Sequence, residues 1–183
     1  MKAVFLDRDG VINVDNAYIH RWEDFEFLPG ALDAMRRLTR GEYALIIVTN
    51  QSGIARGYFT QAQYDELTSR FRASLEQSGV AVTDIYHCPH HPQGTIEHLS
   101  IDCVCRKPAP GMLLQAMRDH NLNMGQSLLI GDKVSDLQAA RAARVGLAYL
   151  VASDEKASNL PEDLADGVFK SLATCTDYLL AGF

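Results

Sequence analysis

The sequence predicts an α/β fold of Rossmann-like, three-layer α/β/α architecture: a mostly parallel sheet with helices on both faces. Three observations predict it. Short apolar runs alternate with segments of helical period along the whole chain, the pattern of repeated βα units. Several of these runs end abruptly in polar residues, at 7–9, 49–50 and 131–133. No repeat, low-complexity segment or linker interrupts the 183 residues, a length that suits one domain spanning 1–183.

Each element follows from local pattern. Residues 2–6 read as a short buried strand. Pro29-Gly30 breaks the chain, and 31–40 are helical, with Leu32, Met35 and Leu38 on one side and Gly41 closing the helix. The run YALIIV (43–48) is the clearest strand and ends at Thr49-Asn50. Thr60 with Gln63 forms a capping box, and Tyr64, Leu67, Phe71 and Leu75 repeat at helical spacing up to Gly79. A short strand at 84–87 precedes an irregular stretch, 88–110, and a helix over about 111–120. SLLI (127–130) is a strand ending at Gly131-Asp132; Ser135 caps a helix running to about Arg144, which Gly146 ends. Residues 147–151 form a further strand, Val168 lies in a short one, and a last helix opens at Ser171.

Composition narrows the function classes. Hydrophobic residues make up 47% and charged residues 22%, the mixture of a soluble globular protein. A net charge of −6 with no basic run excludes general nucleic-acid binding. The amino terminus has neither a basic n-region nor an apolar h-region, and no stretch has the length to span a bilayer. A cytoplasmic chain without a membrane partner is expected.

The chemistry gathers where the strands end. Parallel strands deliver their carboxyl ends to one edge, where ligands bind in such sheets. Asp7 and Asp9 follow the first strand, Thr49 and Asn50 the second, and Asp132, Lys133 and Asp136 the third. Any one set reads as local capping or turn chemistry; three sets on one edge read as a site. Clustered acidic residues call for a cation, and hard oxygen ligands with room for water point to Mg²⁺. Arg106, Lys107 and Lys133 match a phosphoryl group. An aspartate is ionised at neutral pH and attacks phosphorus without an activating base. Asp7 is therefore expected as nucleophile. Asp9 is expected to protonate the leaving oxygen and later deprotonate water, mutual repulsion pushing the two pKa values apart.

Cys88, His90, Cys103 and Cys105 form C-x-H-x12-C-x-C, a donor set for tetrahedral, structural Zn²⁺, with His91 as the alternative to His90. His87 and His98 read as ordinary loop histidines, and Cys175 as a core residue. Arg106 and Lys107 follow Cys105 directly, so the metal can fix the position of both cations.

The motifs DRDG, TNQ, RKP and GDKVSD, in this order, resemble those of the haloacid-dehalogenase-like (HAD) phosphatases. The resemblance implies that Asp7 is the nucleophile, Asp9 the acid/base, and Thr49, Arg106 and Lys107 catalytic neighbours of the phosphoryl group. It also implies a Mg²⁺ site at Asp7, Asp9 (through its carbonyl) and Asp132, with Asp136 behind it orienting water or Lys133. Val11 stands where many members carry Thr.

No insertion between the motifs is large enough for a cap domain, so loops at 14–24, 51–59 and 88–106 must set specificity. Tyr18, Trp22 and Phe59 read as pocket wall or core. The stretches LDRDGVINVDNAYIH, VTNQSGIARGYFT, CPHHPQG and CRKPAPGML resemble the sugar-bisphosphate phosphatases that remove the C7 phosphate of a heptose bisphosphate for bacterial lipopolysaccharide. That resemblance implies a small-molecule sugar bisphosphate contacted by Asp15, Asn16, Ala17, Tyr18, Thr49, Asn50, Gln51, Ser52, Arg106, Lys107 and Lys133. A monomer is expected. The alternatives are the similar histidinol-phosphate phosphatases and, from another class, a phospho-receiver module, which needs neither Asp9 nor a metal loop.

Overall fold

The computed structural model describes residues 1–41, 43–153 and 163–181. The elements are β1 (Lys2–Leu6), α1 (Ala31–Thr39), β2 (Tyr43–Asn50), α2 (Gln61–Gln77), β3 (Asp84–Cys88), α3 (Gly111–His120), β4 (Leu128–Gly131), α4 (Val134–Ala142), β5 (Leu147–Val151), β6 (Gly167–Phe169) and α5 (Leu172–Leu180). The six strands form one sheet in the order β3-β2-β1-β4-β5-β6, and every neighbouring pair is parallel. No described helix is long and apolar enough to cross a membrane.

The strands are apolar on both faces because both faces are covered. On one side Val4, Leu6, Leu45, Ile47 and Ile130 pack with Met35 and Leu38 of α1, Phe71 and Leu75 of α2, and Leu172 and Cys175 of α5. On the other, Phe5, Ile46, Val48 and Leu129 pack with Met112 and Leu113 of α3 and Leu137 and Ala140 of α4. From β1 the chain winds outward through β2 to β3, then returns to β4 and winds the other way. The order reverses between β1 and β4, and a crevice opens beyond their carboxyl ends.

Three details differ from the sequence reading. β2 continues through Thr49 and Asn50, which pair with His87 and Cys88 of β3; neighbouring ladder bonds hold these polar residues on the strand tip. His87 accordingly lies on a strand and stacks against Tyr64, ring centroids 4.2 Å apart. α4 is capped at Lys133 rather than Ser135, because the Asp136 carboxylate reaches back to accept the Lys133 N–H at 3.0 Å, and it ends at Ala142. The Thr60–Gln63 capping box and the Ser171 cap are present as read.

Phe5 is fully buried at the sheet centre, and Phe5→Ala is expected to cost about 3–5 kcal/mol in urea unfolding. Val168→Ala on the outer strand, where the side chain is exposed, should cost less than about 1 kcal/mol in the same measurement.

Candidate active site

The tips of β1, β2 and β4 meet as the motifs require. A backbone bond from Asp7 N–H to the Ile130 carbonyl, 3.0 Å, carries the β1–β4 pairing one residue past the strand. The chain then turns over Asp132 at Gly10, whose φ is +86°. A Cβ there would stand 2.5 Å from Asp132 Oδ2, so only glycine lets the turn cross so close. Carboxylate oxygens of Asp7, Asp132 and Asp136, all three buried, lie within 4.8 Å of one another.

Lys107 enters this cluster from the loop. Its ammonium donates to Asp7 Oδ1 at 2.9 Å and to the Val48 carbonyl at 2.7 Å, and lies 2.6 Å from Asp136 Oδ1. An ammonium has three donors, and three partners from β1, β2 and α4 take them. Asp136 thus grips Lys107 with one oxygen and caps α4 at the Lys133 main chain with the other. The Lys133 side chain turns instead to Asp15, 3.1 Å away.

Asp9 faces a different set of partners. It accepts from Arg8 Nη2 on both oxygens at 3.0 Å, from Asn13 Nδ2 at 2.9 Å and from Gln51 Nε2 at 3.1 Å. These four bonds fill roughly the four lone-pair sites of a carboxylate. Arg8 and Asn13 were not singled out in the sequence. The signal was present for Arg8: an arginine between two aspartates in an apolar turn is buried only if paired, and it is 2% exposed.

The electrostatics follow the partners. Burial pushes Asp7 up to about 8; Lys107 opposes the rise, and Asp136 and Asp132 add to it. Burial acts on Asp9 in the same direction, but the Arg8 guanidinium and the bonds from Asn13, Arg8 and Gln51 outweigh it and hold the carboxyl below the usual range. Burial would lower Lys107, but Asp136 and Asp7 outweigh it and keep the ammonium charged. The order of Asp7 and Asp9 is therefore the reverse of that expected from mutual repulsion. Each carboxylate answers to its own partners: burial and the neighbouring acids raise Asp7, and the donors around Asp9 lower it. Buried carboxylate oxygens of Asp7 and Asp132 are the hard donor set that suits a divalent cation.

Across β2, the amide of Asn50 brackets the Lys107 peptide: Oδ1 accepts its N–H at 3.1 Å and Nδ2 donates to its carbonyl at 3.0 Å. Gln51 Nε2 donates to Thr49 Oγ1 at 2.9 Å as well as to Asp9. A cavity of about 500 Å³ lies above, lined among others by Asp9, Tyr18, Ser52, Arg106, Lys107 and Lys133. Asp15, Ala17, Asn50 and Gln51 also border it; Asn16 does not, and is exposed. Tyr18 leans edge-on against Tyr58, 4.6 Å between centroids, joining two of the three loops at the rim. Phe59 is core, packed with Ile54 and Tyr64. Trp22 stacks on Phe25 beside the main core.

The cysteine loop closes on itself. Sγ atoms of Cys88, Cys103 and Cys105 stand 3.1–3.5 Å apart, and His90 Nδ1 is 3.3 Å from Cys105 Sγ and 3.7 Å from Cys88 Sγ. A tetrahedron with Zn–S bonds near 2.3 Å has edges of about 3.8 Å, a few tenths of an ångström longer than the sulfur spacings here, so the cluster is compatible with such an ion after a small expansion. His91 is elsewhere, 3.1 Å from Arg56 Nη2, and the alternative between the two histidines falls to His90. Arg106 Nη1 donates to the His90 carbonyl at 3.4 Å.

The chain is similar to several known proteins. A family model described as "HAD-hyrolase-like" matches residues 104–175. The D-glycero-beta-D-manno-heptose-1,7-bisphosphate 7-phosphatase of Salmonella typhi is 51% identical over 93% of this chain and 91% of its own. That of Escherichia coli K12 is 50% identical over 93% and 90%. A crystal structure of D,D-heptose 1,7-bisphosphate phosphatase from B. bronchiseptica, complexed with magnesium and phosphate, superposes with a TM-score of 0.85 at 36% identity over 99% of both chains. With about half its residues shared over nearly its whole length, the chain belongs to the D-glycero-beta-D-manno-heptose-1,7-bisphosphate 7-phosphatase family of HAD-like hydrolases.

Proposed function

We propose that the chain removes the C7 phosphate of D-glycero-D-manno-heptose 1,7-bisphosphate through an aspartyl-phosphate on Asp7, a step that supplies ADP-heptose for lipopolysaccharide. The observation that carries the reading is the Asp7–Lys107 pair at 2.9 Å, buried at the β1–β4 switch point, with Lys107 also bordering the cavity. Mg²⁺ bound by Asp7, Asp132 and the Asp9 carbonyl supplies positive charge against the phosphoryl oxygens.

Lys107 holds Oδ1 of Asp7, which leaves Oδ2 to attack phosphorus. The bond from Oδ2 to phosphorus forms as the bond from phosphorus to O7 breaks, and Asp9 delivers a proton to O7. Water then attacks the phosphoryl group, gives its proton to Asp9 and frees Asp7 and inorganic phosphate. Asp9 as this fold holds it, ionised and bonded on every side, is ready for the second half. For the first half it takes up a proton as one of its four donors draws away. Thr49 and Lys107 stabilise the phosphoryl oxygens. Arg106, Lys133 and the loop at Asp15–Tyr18 suit the rest of a doubly anionic sugar. A structural Zn²⁺ on Cys88, His90, Cys103 and Cys105 anchors the segment carrying Arg106 and Lys107.

Phosphate release with Mg²⁺ should favour the heptose bisphosphate over histidinol phosphate and fructose bisphosphate; preference for histidinol phosphate overturns the substrate. Asp7→Asn should abolish turnover, and a variant that still releases phosphate argues against a covalent intermediate. Cys103→Ser should lose zinc, read by metal analysis, and about 10- to 100-fold in kcat; full activity without zinc would remove the loop from the mechanism.

A further inference from the structure

We propose that Asn50 and Gln51 are positioning residues for the phosphoryl clamp and not sugar contacts. The inference rests on the reading above, in which Lys107 and Thr49 hold the phosphoryl group. It assigns to these two amides a role that lining a cavity does not suggest.

Hydrogen-bond inventory makes the case. The Asn50 amide can face Lys107 in only one orientation, because the peptide N–H must meet an oxygen and the peptide carbonyl must meet an NH₂ group. Both ends of the side chain are engaged on the same peptide, at 3.1 and 3.0 Å. Lys107 lies in a loop without strand or helix, two residues beyond Cys105. The Asn50 bracket attaches its main chain to the tip of β2, the strand whose Val48 carbonyl also receives its ammonium. One strand thus fixes both ends of the lysine.

The Gln51 amide is equally constrained. A carboxylate only accepts, so the NH₂ group must face Asp9. Its second hydrogen goes to Thr49 Oγ1, at 2.9 Å and out of contact with water. Thr49 Oγ1 therefore accepts inside the fold, and its own proton is left to point at the phosphoryl group. The direction of that O–H is set by Gln51. The Gln51 main chain is tied in turn to the cysteine loop through its N–H bond to the Cys88 carbonyl, 2.8 Å. Gln51 itself is only 4% exposed.

The test separates a clamp from a sugar contact with a probe that carries no sugar. Orthovanadate mimics the phosphoryl transition state, which an enzyme binds more tightly than substrate. In Asn50→Ala and Gln51→Leu, inhibition by orthovanadate should weaken about tenfold or more. The kcat for the heptose bisphosphate should fall by a similar factor, with KM within about twofold. The isosteric variants Asn50→Asp and Gln51→Glu keep the shape, remove the donors and should show the same pattern, which covers the case in which a smaller residue fails to fold. A raised KM with unchanged orthovanadate inhibition makes the residues sugar contacts and overturns the proposal. So does wild-type behaviour in both measurements, or a loss that tracks a lowered melting temperature. Failure of the wild type to hydrolyse the bisphosphate, or to be inhibited by orthovanadate, would instead reject the underlying functional reading.

Discussion

The site depends on one buried ammonium. Lys107 is 4% exposed, and removing a charge of that size from water costs several kcal/mol even after relaxation. That cost is offset only because Asp7, Asp136 and the Val48 carbonyl meet its three donors at 2.6–2.9 Å. The arrangement binds in both directions. Without the ammonium, the buried carboxylates of Asp7, Asp132 and Asp136 crowd within 4.8 Å of one another, and burial already pushes Asp7 up to about 8 with the lysine in place. The Asp7 carboxylate is thus favoured as an anion to the extent that cations surround it. In the proposed mechanism, a lysine from the loop and a divalent ion at the strand tips would be two contributions to the same requirement.

Topology decides that these charges can meet at all. β1 lies at the centre of the sheet, with β2 on one side and β4 on the other. Three parallel tips therefore stand at neighbouring strand spacings, roughly 4.8 Å apart. The pairing continues beyond the regular strand through the Asp7–Ile130 bond, so Asp7 sits on a hydrogen-bonded strand tip. Asp9, two residues on, sits in the turn that follows the strand, where Arg8 and Asn13 reach it. A single residue, Arg8, separates two carboxylates that live in unlike surroundings: Asp7 stays on the strand tip, and the turn that opens at Arg8 carries Asp9 away from it.

Much of this was legible in the sequence because it rests on local signals. Apolar runs gave the strands, and the Thr60–Gln63 box and the Ser171 cap were read where they occur. The chemistry at three strand ends followed from parallel topology, and C-x-H-x12-C-x-C marked a donor set that the fold closes to 3.1–3.7 Å. What escaped was long-range pairing. That Asn50 meets Lys107, 57 positions away, or Gln51 meets Asp9, 42 away, leaves no mark in composition or period. The charge order of Asp7 and Asp9 was misjudged for the same reason. Two aspartates one residue apart suggest mutual repulsion, yet burial and the neighbours Asp136, Asp132 and Lys107 act on Asp7, while Arg8, Asn13 and Gln51 act on Asp9; only the folded chain shows which groups turn inward.

The loop that brings Lys107 to the sheet has almost no regular structure; one short 3-10 turn at Glu97–Leu99 interrupts it. Length alone is a weak obstacle to closing such a segment, since doubling a loop adds only about 0.6 kcal/mol. The harder requirement is placing one atom to within a fraction of an ångström. Here that precision comes from side-chain attachments spread along the loop: the Cys88–His90–Cys103–Cys105 cluster, the Asn50 bracket and the ammonium itself. The Arg106 bond to the His90 carbonyl joins the cluster to the same few residues. Each attachment removes a different freedom: the cluster sets where the segment leaves the loop, the bracket sets the peptide plane, and the ion pairs set the side chain. A catalytic cation carried on a loop can in this way be held as firmly as one on a strand, provided that its tethers end on the strands that carry its partners.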